Sequence, residues 1–151
     1  YSFKRKGSAM KPLPILWQHL VNAEKQTCSR CGTTGEELRK ALQVLEAELL
    51  PQGIQPYLEI RTMSEEEFLT HPEESNRIWI MGVPLENLVG GIQGSSTCDD
   101  VCHGEQCRTV ESQGKTYDAV PASLIVQAAH RALSPEKPAE DRRRFVQTIC
   151  C

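Results

Sequence analysis

Two cysteines three positions apart, in Cys28-Ser29-Arg30-Cys31-Gly32, constrain this chain more than any other feature. A pair at this spacing can close a disulfide or hold one metal ion. The pair follows an almost continuously apolar stretch, residues 13–21, and precedes a helical pattern over residues 36–50. The sequence therefore predicts a dithiol between a buried strand and a helix, where the helix dipole and unpaired N–H groups favour the thiolate.

Composition and charge exclude several classes of protein. The chain has 151 residues, 25% charged and 39% hydrophobic, with a net charge of −3. No basic field favours nucleic acid or an anionic membrane, and no apolar run approaches the ~20 residues that span a bilayer. Residues 1–9 are basic but lack a following apolar region, so we interpret them as a tag or disordered leader. We expect a cytoplasmic protein without nucleic-acid or membrane partners.

Hydrophobic periodicity predicts a β-α-β unit followed by a β-β-α unit. Thr34 with Glu37, and Ser64 with Glu67, are expected to cap two helices, and Pro56 indicates either an edge strand or a later start of that strand. The predicted elements are strand 13–21, helix 35–50, strand 54–61, a short helix from 64, hairpin 77–81 with 85–89, hairpin 108–111 with 115–120 around Gln113-Gly114, and helix 121–133.

This order is the thioredoxin-like arrangement, with the dithiol between the first strand and the first helix. The predicted fold class is α/β, with a central mixed four- to five-stranded sheet flanked by helices, a Cys-rich loop and an added hairpin. The predicted domain spans residues 10–133, with the Cys-rich loop at 90–108. Residues 134–151 are expected to form a tail, and its last two residues, Cys150 and Cys151, have no assigned role.

The spacing of Cys28 and Cys31 is typical of thiol–disulfide exchange. We expect an exposed Cys28 to attack a disulfide and a sheltered Cys31 to resolve the mixed disulfide, with Arg30 adding positive charge. The partner would be a redox protein or a thiol substrate. His19 is expected to be structural, although its proximity in sequence to Cys28 leaves a role in thiol activation open. A zinc knuckle is the alternative, although no second pair has this spacing.

A second group of candidate ligands follows the glycines at positions 90, 91 and 94. Cys98, Cys102 and Cys107 could hold zinc or an iron–sulfur cluster, with His103 or a cysteine of the first pair as fourth ligand. The first pair with two of these three would also complete a four-sulfur site. A disulfide between Cys98 and Cys102 is the other interpretation, and the residues do not decide between the two.

Four segments resemble a family of small bacterial thioredoxin-like proteins described only as a conserved domain of unknown function. They are Cys28-x-x-Cys31-Gly32, residues 76–80 with 84–86, Cys102 through Cys107-Arg108-Thr109, and residues 114–117 with 120–122. The resemblance covers about residues 13 to 133. It implies a thioredoxin-like fold and a dithiol site at Cys28 and Cys31, but no established reaction.

One difference from thioredoxin-like oxidoreductases affects the expected function. Those proteins usually carry a cis-proline that faces the dithiol, and the corresponding place here is Ser75-Asn76. This difference weakens the reductase interpretation and favours a non-enzymatic zinc or soft-metal binding protein that uses the early pair and the Cys-rich loop. A structural domain whose thiols are incidental is the third alternative.

Overall fold

A computed structural model describes residues 10–22, 24–97 and 106–134. These residues form eleven strands and α-helices, together with two 3₁₀ helices, Leu50–Gln52 and Pro72–Glu74. In chain order the strands and α-helices are β1 (Lys11–Leu20), α1 (Ser29–Leu49), β2 (Ile54–Met63), α2 (Glu65–Thr70), β3 (Arg77–Ile80), β4 (Val83–Pro84), α3 (Leu85–Leu88), β5 (Ile92–Thr97), β6 (Gln106–Ser112), β7 (Lys115–Tyr117) and α4 (Ala122–Leu133).

The main sheet has four strands in the order β2-β1-β3-β4. β1 is parallel to β2 and antiparallel to β3, so the sheet is mixed, as the sequence predicts. Since β1 has a neighbour on each side, its residues are among the most buried of the chain. The strand that leads into the dithiol is therefore held on both edges.

One face of β1 forms the centre of the core. Leu13, Ile15 and Trp17 alternate along this face and are buried, as expected for side chains with the period-2 pattern of a strand. α1 packs against α4 and β2, and buries Leu38 and Leu45 in the same cluster. In residues 10–22, 24–97 and 106–134, no helix has the length and apolar character needed to span a membrane.

The first helix starts earlier than the sequence pattern indicates. α1 begins at Ser29, so the predicted capping box of Thr34 and Glu37 at its start is wrong. Both side chains instead accept backbone N–H groups next to α4: Val120 donates to Thr34 Oγ1 at 3.1 Å, and Ala122 donates to Glu37 Oε1 at 2.8 Å. These residues therefore fix the start of α4 against α1.

Two other local predictions are confirmed. Ser64 and Glu67 form the capping box of α2, with backbone-to-side-chain distances of 3.1 and 2.9 Å. Gln113 and Gly114 both have positive φ, 54° and 80°, which is the backbone of a two-residue hairpin turn between β6 and β7. Pro56 lies on β2, an edge strand of the main sheet, as expected.

The predicted strand at 85–89 and the predicted loop at 90–108 need correction. After the two-residue strand β4 the chain forms the short helix α3, because the β3–β4 pairing ends at Pro84. Residues 92–97 are not loop: they form β5, which pairs with β6 in a separate three-stranded sheet of order β5-β6-β7.

A buried ion pair joins this second sheet to α3, the helix that follows β4. The Arg108 guanidinium of β6 binds the Glu86 carboxylate of α3, and both side chains are almost completely buried. Arg108 Nη1 also donates to the backbone oxygen of Glu73 at 2.6 Å. Glu73 lies in the turn that precedes Ser75, so Arg108 helps to fix the turn that carries Ser75 to the dithiol site.

Candidate dithiol site

The end of β1 and the start of α1 bring the two cysteines together. Cys28 is the N-cap of α1, with an extended backbone (φ −74°, ψ 164°), and Cys31 lies in the first turn. The Gly32 amide donates to the Cys28 carbonyl at 2.9 Å, which closes this turn. Both residues are reduced thiols, and their side chains hydrogen-bond each other. The two sulfurs are thus placed at a helix N-terminus, as the sequence predicts.

Burial of the dithiol departs from the prediction. Cys28 was expected to be exposed, but Cys28 and Cys31 are each only 1% exposed. The early start of α1 accounts for this, because it places both thiols in the hydrophobic cluster formed by β1 and α1. A large substrate could reach the Cys28 sulfur only after local opening of the surrounding chain.

The two thiols differ in their tendency to ionise. The hydrogen bond to Cys28, followed by burial and by the charge of Cys28, raises the pKa of Cys31 far above its ordinary value. Hydrogen bonds from the hydroxyls of Ser75 and Thr27 act in the opposite direction. Cys31 therefore keeps its proton in the resting state, and its ionisation depends on the polar groups that contact it.

Ser75 contacts the dithiol from the turn before β3. Its Oγ lies 3.7 Å from Cys31 Sγ and accepts the Leu20 amide at 3.0 Å. Since that amide occupies a lone pair, the hydroxyl proton is available to the sulfur. The described part of the chain contains no cis peptide bond. Ser75 thus lies beside the dithiol in the place that the resemblance assigns to a cis-proline.

Asn76 locks the same turn to the central strand. Its backbone has a φ of 61°, in the left-handed region that asparagine tolerates. Trp17 Nε1 donates to Asn76 Oδ1 at 3.1 Å, and Asn76 Nδ2 donates to the Asp118 carbonyl at 3.3 Å. Buried polar groups of this turn therefore have partners on two other segments, which fixes Ser75 next to Cys31.

His19 and Thr27 form the other polar side of the site. The buried His19 ring stacks on Trp17, with centroids 3.9 Å apart and planes 14° apart. Its Nδ1 lies 3.1 Å from Thr27 Oγ1 and 3.2 Å from the Leu20 carbonyl, to which Thr27 donates at 2.7 Å. Burial lowers the pKa of His19, while the Leu20 carbonyl and the charge of Cys28 oppose that shift. The imidazole is therefore neutral at pH 7.

The structure describes only a few of the predicted metal ligands. Cys98, Cys102 and His103 lie outside the described residues, as do Cys150 and Cys151, and only the backbone of Cys107 is placed, in β6. Across residues 10–22, 24–97 and 106–134, no group of three or more His, Cys, Asp or Glu side chains could hold a metal ion. The described ligand set at the site is thus the pair of thiols.

Arg30 does connect the two cysteine-containing regions. Its Nη1 donates to the Ser96 carbonyl at 3.4 Å. Ser96 pairs with Cys107 across β5 and β6, and Thr97 pairs with Gln106. Arg30 therefore contacts the β5–β6 pair at the residue that lies opposite Cys107.

Sequence reasoning did not identify Thr27 as part of the site, and it identified Ser75 only through the missing proline. Thr27 directly precedes Cys28, a position from which a short side chain can reach back to the end of the preceding strand. That adjacency is the only signal in the sequence. The contact itself depends on how the chain between Leu20 and Cys28 turns, which no local pattern specifies.

The fold and the site define a mixed α/β protein with a buried dithiol at the start of the helix that follows its central strand. The chain belongs to the family described as "Domain of unknown function (DUF2703)", whose model matches residues 13–129. It is similar to an uncharacterized protein of Archaeoglobus fulgidus, 36% identical over 113 residues that cover 75% of this chain and 82% of the relative. This relative is archaeal, whereas the resemblance in the sequence indicated a bacterial family. No solved structure matches.

Proposed function

We propose that this chain is a thioredoxin-like thiol protein that exchanges disulfides through Cys28 and Cys31. The arrangement of the elements supports the fold assignment: a parallel β1-α1-β2 unit is followed by the antiparallel β3 and β4 and then by α4. A Cys-x-x-Cys sequence beside a β-α-β unit is typical of redox proteins of this class. Reduced thiols persist in reducing compartments, so we also propose a cytoplasmic location.

The observation that carries the proposal is the placement of Cys28 and Cys31, two free thiols buried in one cluster, at the N-terminus of α1. Cys28 attacks one sulfur of a substrate disulfide, and the other substrate sulfur leaves as a thiolate that takes a proton. Cys31 then attacks the Cys28 sulfur and releases the second substrate thiol. The protein ends with a Cys28–Cys31 disulfide, the substrate has gained two electrons, and a dithiol reductant restores the protein.

Burial limits which disulfides can react. Because Cys28 is 1% exposed, we expect small disulfides to react faster than a folded protein disulfide. Access rather than intrinsic reactivity would then set the rate with large substrates.

Disulfide reduction tests this function directly. Purified under anaerobic conditions, the wild-type chain should reduce insulin disulfides in the presence of dithiothreitol, and C28S should abolish that activity. C150S is the matched control and should retain it. Bound metal and accessible thiols are measured on the same samples. Stoichiometric zinc or iron that blocks both early cysteines would refute the oxidoreductase proposal.

A metal-binding function is the second candidate, and the contact of Arg30 with Ser96 favours it. Since Arg30 contacts Ser96, the residue opposite Cys107 in the β5–β6 pair, the early pair and the later cysteines could contribute to one thiolate site. Zinc or an iron–sulfur cluster would suit such sulfur ligands. Metal content that falls in both C31S and C107S would support this candidate. If all variants keep their cellular function and bind no metal, a structural role remains.

A further inference from the structure

We propose that β2 forms the interface of a homodimer, in which the outer edges of two copies of this strand pair antiparallel about a twofold axis at Ile60. The two four-stranded sheets then continue across the axis as one sheet. This inference does not depend on the dithiol or on the proposed disulfide exchange.

One edge of β2 has no neighbouring strand. β2 is the outermost strand of the main sheet, and within the described ranges no other strand pairs with its outer edge. The carbonyl groups of Gly53 and Met63 accept backbone amides at the two ends of β1. Because successive residues of a strand direct their backbone groups to opposite edges, the odd-numbered residues of β2 face β1. The N–H and C=O groups of Leu58, Ile60 and Thr62 therefore lie along the outer edge.

The first half of this edge is closed to pairing, whereas the second half is open. Pro56 has no N–H group, and the Gln55 side chain donates to the Pro56 carbonyl at 3.0 Å. Proline is one of the residues by which edge strands avoid pairing with another chain. Residues 57–63 contain no proline, and the side chains of Tyr57 and Ile60 are 40% and 52% exposed. The half of the edge that can pair thus carries exposed apolar surface.

The charges beside Ile60 are complementary to a second copy of the same strand. Glu59 and Arg61 are exposed and lie on the same face of β2. In an antiparallel pair centred on Ile60, Glu59 of each protomer lies opposite Arg61 of the partner subunit, which gives two symmetry-related ion pairs. A pair centred on Glu59 or on Arg61 would place like charges directly opposite each other. The charge pattern therefore selects the register centred on Ile60.

The backbone fits the same register. With Ile60 opposite Ile60 of the partner subunit, Leu58 lies opposite Thr62 of the partner subunit. All of these residues face outward, so each opposed pair can exchange both of its N–H···O bonds. The alternate positions, where opposed side chains are closest, are then those of Glu59 and Arg61. Backbone alternation and charge thus lead independently to one arrangement.

Glu59 and Arg61 have the capacity for these ion pairs. In the described part of the chain, Glu59 has no ion-pair partner. Arg61 Nη1 donates to Gln18 Oε1 at 3.3 Å, which places the guanidinium over the sheet and uses one of its five donors. The guanidinium therefore keeps donors for a carboxylate of the partner subunit.

Sedimentation equilibrium of the full chain measures the association, in a thiol reductant that prevents disulfide-linked dimers. The wild-type chain should be dimeric at about 100 μM and dissociate on dilution, because a single pair of strands is a small interface. Glu59→Lys and Arg61→Glu should each raise the dissociation constant by about tenfold or more, since two attractive pairs become two repulsive pairs.

Two further variants show whether the charges act across the axis. The double variant Glu59→Lys with Arg61→Glu restores opposite charges at each position, so its dissociation constant should return to within about threefold of wild type. Glu36→Lys makes the same change of charge at an exposed position of α1 and should have no effect. Restored association in the double variant would support the register.

Amide hydrogen exchange measured by NMR reports the backbone pairing. In the wild-type dimer, the outward amides of Leu58, Ile60 and Thr62 should be protected, and dilution should remove that protection. The odd-numbered amides of β2 should stay protected at every concentration, because they face β1. Ile60→Pro removes the central outward amide and should make the chain monomeric; if it does not fold, the charge variants decide in its place.

Four results would overturn the inference. A wild-type chain that stays monomeric up to about 200 μM would exclude the dimer. Protected outward amides in such a monomer would show that another segment of the same chain covers the edge. A dimer that is unaffected by both single charge reversals must use another surface. If each single reversal dissociates the dimer but the double variant does not restore it, the register centred on Ile60 is excluded.

Discussion

The substitution Gly35→Ala tests the packing that positions the dithiol helix on the central strand. A Cβ atom at Gly35 would lie 2.9 Å from Cη2 and 3.2 Å from Cζ3 of Trp17. Gly32, one turn earlier in α1, has no atom within 4 Å of the corresponding Cβ position. The two glycines thus form a matched pair in one helix, with a buried indole beside one and open space beside the other.

The structure gives the sign and size of each effect. Both substitutions gain about 0.5–1 kcal/mol from helix propensity. Gly35→Ala also overpacks the contact with Trp17, which costs about 1–3 kcal/mol. The Trp17 indole cannot easily move away from the new methyl group, because it donates to Asn76 and stacks on His19. We therefore expect Gly35→Ala to destabilise the fold by about 0.5–2 kcal/mol and Gly32→Ala to stabilise it by up to about 1 kcal/mol.

Urea unfolding followed by circular dichroism measures both free energies, provided that the m-values of the variants agree with that of the wild type. The difference between the two variants is more reliable than either value, since unfolded-state effects of Gly→Ala largely cancel. A Gly35→Ala chain as stable as Gly32→Ala would show that no close approach of α1 to Trp17 exists.

Two further predictions concern buried ionisable groups. Glu86→Ala leaves the Arg108 guanidinium buried without its carboxylate, so the free energy of unfolding in urea should fall by about 3–5 kcal/mol. The control, Glu48→Ala, removes the exposed partner of His130 and should cost less than about 1 kcal/mol. Equal losses in the two variants would contradict the buried ion pair. The raised pKa of Cys31 means that, above about pH 9, the unfolded chain loses a proton that the folded chain keeps. Stability should therefore fall as pH rises there, by at most about 1.4 kcal/mol per unit, and a Cys31→Ala chain with the same pH dependence would refute this.

Features with a strong local signal could be predicted from the sequence. The capping box of Ser64 and Glu67 needs only residues within one turn, and the Gln113-Gly114 hairpin needs only two residues that accept positive φ. The position of the dithiol after β1 follows from an apolar run that only a central strand explains. Each of these depends on contacts close in sequence.

Features decided by distant contacts could not be predicted. Thr34 and Glu37 have the spacing of a capping box, but their acceptors bind Val120 and Ala122, more than 80 residues away. Burial of Cys28 likewise depends on where α1 packs, not on the residues around it. Local patterns specify hydrogen-bonding capacity, and the tertiary fold decides which partner uses it.

The polar groups around Cys31 come from separate parts of the chain, and each is fixed before any reaction occurs. Thr27 donates to the Leu20 carbonyl, Ser75 accepts the Leu20 amide, and His19 lies against Trp17. A site whose donors and acceptors are already oriented needs little reorganisation when the thiol ionises. For the disulfide exchange proposed above, the groups that would activate Cys31 are therefore already in place in the resting fold, whereas Cys28 is buried. Selection among substrates should then depend on which disulfides can reach Cys28, and a small disulfide should be preferred over a folded protein even if both have the same redox potential.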